Sequence, residues 1–193
     1  ISLFAGDITD HTRIVGDAFI TVDIAGHTAI QHMADVYAET YQEFRSKCAE
    51  TIFLKPLKLN LKSFVQQQKT MRESRVKQLM EQLQNYRLEL DTIIAGVDGS
   101  GGHLFIVENP GLVICRDGLD FAVVGSGGEH ANSVFTTYKY DRRWNFGGAV
   151  LLAYMAKKRA EVDPYVGKET GFAFVTPYGK TLGGTQAFID FVD

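Results

Sequence analysis

The sequence predicts a mixed α+β fold in which helices pack outside antiparallel sheets. Three observations lead there. The apolar spacing changes from a three-to-four-residue period to β-rich runs and back, so the chain reads as strand, two helices, a block of strands, two helices and a closing strand. Gly, Pro and Asn punctuate the central block closely enough for hairpins. Strict strand–helix–strand alternation, the mark of an open parallel sheet, is missing. The 193 residues suffice for one domain with a sizeable core, spanning residues 1–193, and are too few for two.

Ile1–Ala5 reads as the end of a buried strand, broken by Gly6-Asp7. Thr9 and Asp10 offer short side-chain oxygens that can cap a helix start. Ile14, Val15, Ala18, Phe19 and Val22 then recur at helical spacing. After Gly26 the period resumes through Ala29, Met33, Tyr37, Tyr41, Phe44 and Cys48, so residues 10–50 form a long or broken helical segment. Pro56 marks a boundary. Phe64, Met71, Val76, Leu79, Leu83 and Leu90 predict a second amphipathic helix of about 25 residues, completing a helical region at about 10–90.

Strands are predicted over Asp91–Asp98 and His103–Glu108, joined at Gly99–Gly102, and over Leu112–Arg116 and Leu119–Val124. Helices follow over Ser126–Tyr140 and Asn145–Val162, then a strand over Gly171–Thr176 and a strand or short helix over Thr181–Asp193.

Composition narrows the function classes. The net charge of −3 argues against a broad nucleic-acid footprint. The basic stretch 69–77 has Glu interspersed and reads as a solvated helix face. Cys48 and Cys115 form no metal-type pair and read as free buried thiols of a reducing, cytoplasmic compartment. No apolar run approaches the ~18 residues of a membrane span. His11, His27, His32, His103 and His130 show no metal-ligand spacing and read as surface or satisfied core residues. The chain opens on Ile1 inside an apolar stretch and reads as the middle of a protein.

The stretch Val124-Gly125-Ser126-Gly127-Gly128 raises the functional question. A dinucleotide-binding turn needs a third small residue where His130 stands, and no Gly-Lys-Ser/Thr ending is present. The Gly99–Gly102 cluster leads into a strand, so it aims no helix terminus at an anion. A serine-hydrolase elbow needs glycine where Val124 stands. What is left is a tight turn that supports chemistry supplied elsewhere.

Five pieces then recur in order: Phe4-Ala5-Gly6-Asp7 before a helix; Ile94-Ala95-Gly96-Val97-Asp98 followed by a glycine turn and His103-Leu104-Phe105; Asn109-Pro110-Gly111; Val124-Gly125-Ser126-Gly127; and Asp163 with Gly167 after a helix. Together they resemble proteasome β-type subunits and bacterial proteasome-like peptidases. The resemblance covers most of the chain. It implies the four-layer αββα sandwich of N-terminal-nucleophile hydrolases, with its first strands missing from these residues and its helical region longer than is usual.

The resemblance implies threonine-type endopeptidase chemistry. A terminal threonine attacks the peptide bond, and its own α-amino group, with a pKa near ~8, serves as base through a water. Gly6 matches the oxyanion-hole glycine, Ser126 and Gly127 the serine-bearing turn beside the terminal amine, and Asp163 the supporting aspartate. Val166 stands where the family has a serine, so one hydroxyl is missing from that network. By the match at Gly6, roughly forty residues that the family carries ahead of this point, with its threonine, aspartate and lysine, are absent from this sequence. The implied partners are an extended peptide or unfolded protein as substrate, further copies of the chain in an assembly and, by analogy only, an ATPase. No nucleic acid, membrane, cofactor or metal is implied. A non-catalytic structural subunit of such an assembly is the alternative.

Overall fold

A four-stranded antiparallel sheet, ordered β1-β2-β3-β4, organises the chain. The structure, a computed structural model, describes residues 1–25, 29–176 and 181–183. β1 (Ser2–Gly6) pairs with β2 (Leu90–Asp98) from Ser2↔Ile94 to Gly6↔Leu90. A two-residue turn at Gly99-Ser100 returns the chain into β3 (Gly101–Glu108), and β4 (Leu112–Cys115) follows after Asn109–Gly111. β1 is an edge strand rather than the buried one expected, with Leu3 49% exposed.

The alternation of a pleated strand divides the sheet's residues between two faces. Phe4, Leu90, Ile94, Phe105 and Val107 face α1 (Ile8–Ala25) and α2 (Ile30–Ala49), where Ile14, Ala18, Ala34, Tyr37 and Tyr41 complete the main core. Two polar contacts lock this packing. The Tyr37 and Thr92 hydroxyls lie 2.8 Å apart, and Tyr41 donates to the Leu90 carbonyl at 3.0 Å, both buried. Asp7, not Thr9 or Asp10, caps α1: its Oδ1 accepts the N–H groups of Thr9 and Asp10 at 2.7 and 3.1 Å. The interruption expected at Gly26 falls outside the described residues.

The second long helix divides in two. α2 runs on into a π-helical turn (Glu50–Leu54) and a short 3-10 turn containing Pro56. α3 (Leu61–Gln67) starts from a reciprocal cap between Asn60 and Ser63. The backbone becomes extended at Met71 and Arg72, and α4 (Glu73–Asn85) begins. The bend folds the apolar stripe onto itself: Leu54, Phe64 and Leu79 make a small core with Met71, Val76 and Leu83 packed against it. One straight helix could not close that core.

The strand predicted over Leu119–Val124 is absent. Asp120 takes φ 63, a left-handed conformation that no strand accommodates. The Arg142 backbone N–H and Nε hold its carboxylate at 3.1 and 2.7 Å. α5 (Gly128–Thr137) begins two residues later than expected and packs against α6 (Phe146–Ala160), whose start Asn145 caps through Gly148 N–H at 2.8 Å. β5 (Ala173–Val175) and β6 (Thr181–Gly183) form a separate two-stranded sheet. The rest of the expected 181–193 element lies outside the described residues. Phe146 and Phe174 meet at 5.3 Å, bringing β5 against α6.

The architecture is therefore mixed α+β, with a four-stranded antiparallel sheet and, among the described residues, six α-helices. Cys115 is exposed, contrary to the expectation of two buried thiols, while Cys48 is half-buried. No described helix is long and apolar enough to cross a membrane.

Candidate functional site

The second face of the sheet carries the candidate site. Leu3, Ala5, Asp91 and Ile93 point away from the main core, toward α5 and α6. Between them lies a cavity of about 1210 Å³ with an apolar wall that includes Val123, Ala131, Phe135, Ala156 and Val166. Gly6, Ser126 and Gly127 line it as well. The structure thus brings three of the four expected site residues to one cavity, although 120 positions separate Gly6 from Ser126.

Close backbone approaches explain the glycines. Gly6 has φ +127, and a Cβ there would lie 1.9 Å from the Glu89 carbonyl oxygen. At Gly125, φ +99, a Cβ would lie 3.1 Å from Ala5 Cβ, so this turn abuts the end of β1. The Gly128 N–H closes the turn on the Gly125 carbonyl at 2.9 Å. A Cβ on Gly127 would meet Ala160 Cβ, the Ala160 carbonyl oxygen and Val166 Cγ2, each at 2.8 Å. The turn is wedged between the last residue of α6 and the loop that follows.

That loop contains Asp163, which does not line the cavity, although Tyr165 and Val166 of the same loop do. Asp163 Oδ1 accepts the Tyr165 N–H at 2.8 Å, and its carbonyl accepts the Val166 N–H at 3.1 Å. The carboxylate therefore shapes its own loop. Val166 packs with Ala131, Ala156 and Ala160 where the resemblance implies a hydroxyl. Lys157 fixes the far side of the loop, donating to the Gly167 carbonyl at 2.6 Å and to Glu161 Oε1 at 2.8 Å. Ser126 itself is exposed at the cavity rim. Asp91, beside Ala5 in the β1–β2 register, is a carboxylate on an otherwise apolar stretch of sheet, and burial raises its pKa.

A second cluster was not expected. At the tip of the β2–β3 hairpin, Ser100 Oγ lies 2.8 Å from His103 Nε2, and His103 Nδ1 lies 2.7 Å from Asp117 Oδ2. This has the outline of a serine–histidine–aspartate triad. A fourth group changes its chemistry: Asp98 Oδ1 accepts the Ser100 hydroxyl at 2.6 Å and sits 3.2 Å from His103 Nε2. The hydrogen bond to Asp117, with Asp98 also nearby, raises the His103 pKa and favours the imidazolium, which cannot act as a base. The only sequence signal was the spacing Asp98-x-Ser100-x-x-His103 across a tight turn. Asp117 carries no such signal, because the β3–β4 register brings it to the histidine. Among the described residues no group of three or more His, Cys, Asp or Glu could hold a metal.

Compared with known protein families and with curated proteins, the chain matches none.

Proposed function

We propose that the chain is part of a proteasome-like, threonine-type endopeptidase subunit of the N-terminal-nucleophile hydrolase class, acting on extended peptide or unfolded protein within an assembly of like subunits. The observation that carries this reading is the shared cavity. Gly6 and the Gly125–Gly127 turn meet at one end of it, with the Asp163 loop wedged behind Gly127. The space between the sheet and α5–α6 is where a second sheet would complete the four-layer sandwich.

In this reading a threonine α-amino terminus enters the cavity, Gly6 supplies a main-chain N–H to the oxyanion, and Ser126 holds the amine. Gly127 and the Asp163–Gly167 loop position Ser126 and take no part in proton transfer. The second reading, a non-catalytic structural subunit, is favoured by Val166, whose methyl groups fill the place of a donor beside Gly127.

Two measurements on the natural protein separate the readings. Intact mass with N-terminal sequencing shows whether the mature chain starts at a threonine, and fluorogenic peptides report turnover. For the enzyme, Ser126→Ala is expected to lower kcat by roughly 10- to 1,000-fold with an unchanged Tm. A threonine start with turnover unaffected by Ser126→Ala rejects the assignment of Ser126. A mature protein that lacks both a terminal threonine and turnover favours the structural subunit.

A further inference from the structure

The cluster at the β2–β3 hairpin tip has no part in the reaction proposed above, yet it ties three segments together. Asp98 Oδ2 accepts the Ile30 N–H at the start of α2 at 3.0 Å. Asp98 Oδ1 accepts both the backbone N–H and the hydroxyl of Ser100, at 2.8 and 2.6 Å. Asp117, in the turn after β4, accepts the Leu104 N–H at 2.7 Å through Oδ1 and faces His103 Nδ1 with Oδ2.

Among the described residues, the charged groups around His103 are few. Asp98 comes from its own hairpin, Asp117 from the turn after β4, and Asp120 with Arg142 from across a hollow of about 340 Å³. Arg142 is engaged by Asp120 Oδ1 and by the Asp117 carbonyl, each at 2.7 Å from a guanidinium nitrogen. When protonated, His103 is the cation placed between the carboxylates of Asp98 and Asp117.

Ser100 has one hydroxyl proton and two acceptors within reach. With His103 as imidazolium, both ring nitrogens donate, and Ser100 gives its proton to Asp98. Loss of one proton to solvent leaves Nδ1–H on Asp117 and makes Nε2 an acceptor. The Ser100 hydroxyl then turns from Asp98 to Nε2. Asp98 loses two donors together and keeps only the N–H groups of Ser100 and Ile30.

We propose that Asp98, Ser100, His103 and Asp117 form a pH-operated clasp that holds the first turn of α2 to the β2–β3 hairpin and slackens when His103 gives up its proton. The direction of titration agrees. The His103 pKa lies above its ordinary 6.5, chiefly through the Asp117 hydrogen bond. Its stabilisation is therefore complete below pH 6.5 and falls as pH rises through the folded value. Asp98 is held far below its ordinary 3.8, first by the Ser100 hydroxyl and then by the Ile30 N–H. Its contribution is present above pH 3.8 and is lost as pH falls further. The clasp is closed between those limits.

The test is an imidazole NMR titration of the full chain, with hydrogen exchange of the Ile30 amide followed over the same pH range. A His103 midpoint above 6.5 is expected, with the Ile30 protection factor falling roughly tenfold across it as Asp98 loses the Ser100 hydroxyl and imidazolium donors that fix its carboxylate. Asp117→Asn is expected to lower that midpoint. A wild-type midpoint at or below 6.5 overturns the proposal, as does Ile30 protection that stays flat through the midpoint. An unshifted midpoint in a folded Asp117→Asn variant does the same. Should that variant fail to fold, the wild-type titration and Ile30 exchange decide alone.

Discussion

Three glycines with different surroundings separate space from conformation at the residue scale. A methyl group at Gly6 meets the Glu89 carbonyl oxygen at 1.9 Å on a backbone at φ +127. Both problems lie in the main chain, so no side chain can move aside. At Gly127, on a backbone at φ −79 that any residue adopts, the methyl meets Ala160 and Val166 at 2.8 Å, so the cost is overpacking. At Gly16, inside α1, a Cβ meets nothing within 4 Å. Gly127→Ala is therefore expected to destabilise by about 1–3 kcal/mol and Gly6→Ala by more, while Gly16→Ala stabilises by up to about 1 kcal/mol. Thermal melts of the three variants check the order. A Gly6→Ala protein as stable as wild type contradicts the close approach on which the cavity's geometry rests. The sequence pointed to Gly6 and Gly127 by motif, and the reason glycine is needed came only from the neighbours that folding brings.

Arg45 shows how one side chain sets the end of an element. Projecting from α2, it donates through Nε to the Tyr86 carbonyl at 2.9 Å and through a second guanidinium nitrogen to the carbonyls of Leu83 and Gln84 at 3.2 and 2.9 Å. These are the unpaired carbonyls at the close of α4, where a cation is also favoured by the helix dipole. Arg45→Met keeps an apolar stem of similar reach and removes the three donors. It is expected to loosen α4 by about 1–2 kcal/mol. Hydrogen exchange should then quicken in α4 while β2 and β3 keep their protection. Equal quickening in all three elements indicates a global loss instead. The split of the second helix was not legible in the sequence. Its apolar stripe runs unbroken from Phe64 to Leu90, and only closure of the small core around Leu54 requires the bend.

For the whole molecule the open cavity between the sheet and α5–α6 is the governing feature. An apolar hollow of about 1210 Å³ that reaches solvent offers contiguous apolar surface to a small hydrophobic probe. A dye such as ANS is expected to fluoresce on binding there under native conditions. Ala153 lies on the cavity wall and is exposed, so Ala153→Glu puts a charge in the hollow without burying it. Most of the dye signal should disappear in this variant while its Tm stays near that of wild type. Undiminished fluorescence places the dye elsewhere.

While attention to Gly6 and Ser126 came from the resemblance that their motifs carry, the sequence by itself determined the mixed α+β class, the β2–β3 hairpin and the α5–α6 pair. Those features rest on local period and turn chemistry, which a short window of residues carries. Only the tertiary structure decided that β1 is an edge strand, that Leu119–Val124 forms no strand, and that Ser100, His103 and Asp117 come together. Each of these depends on contacts between residues distant in sequence or on a register between strands, such as Arg142 reaching Asp120 and β4 delivering Asp117 to His103. The packing of a folded chain sets such distances, and no local pattern encodes them.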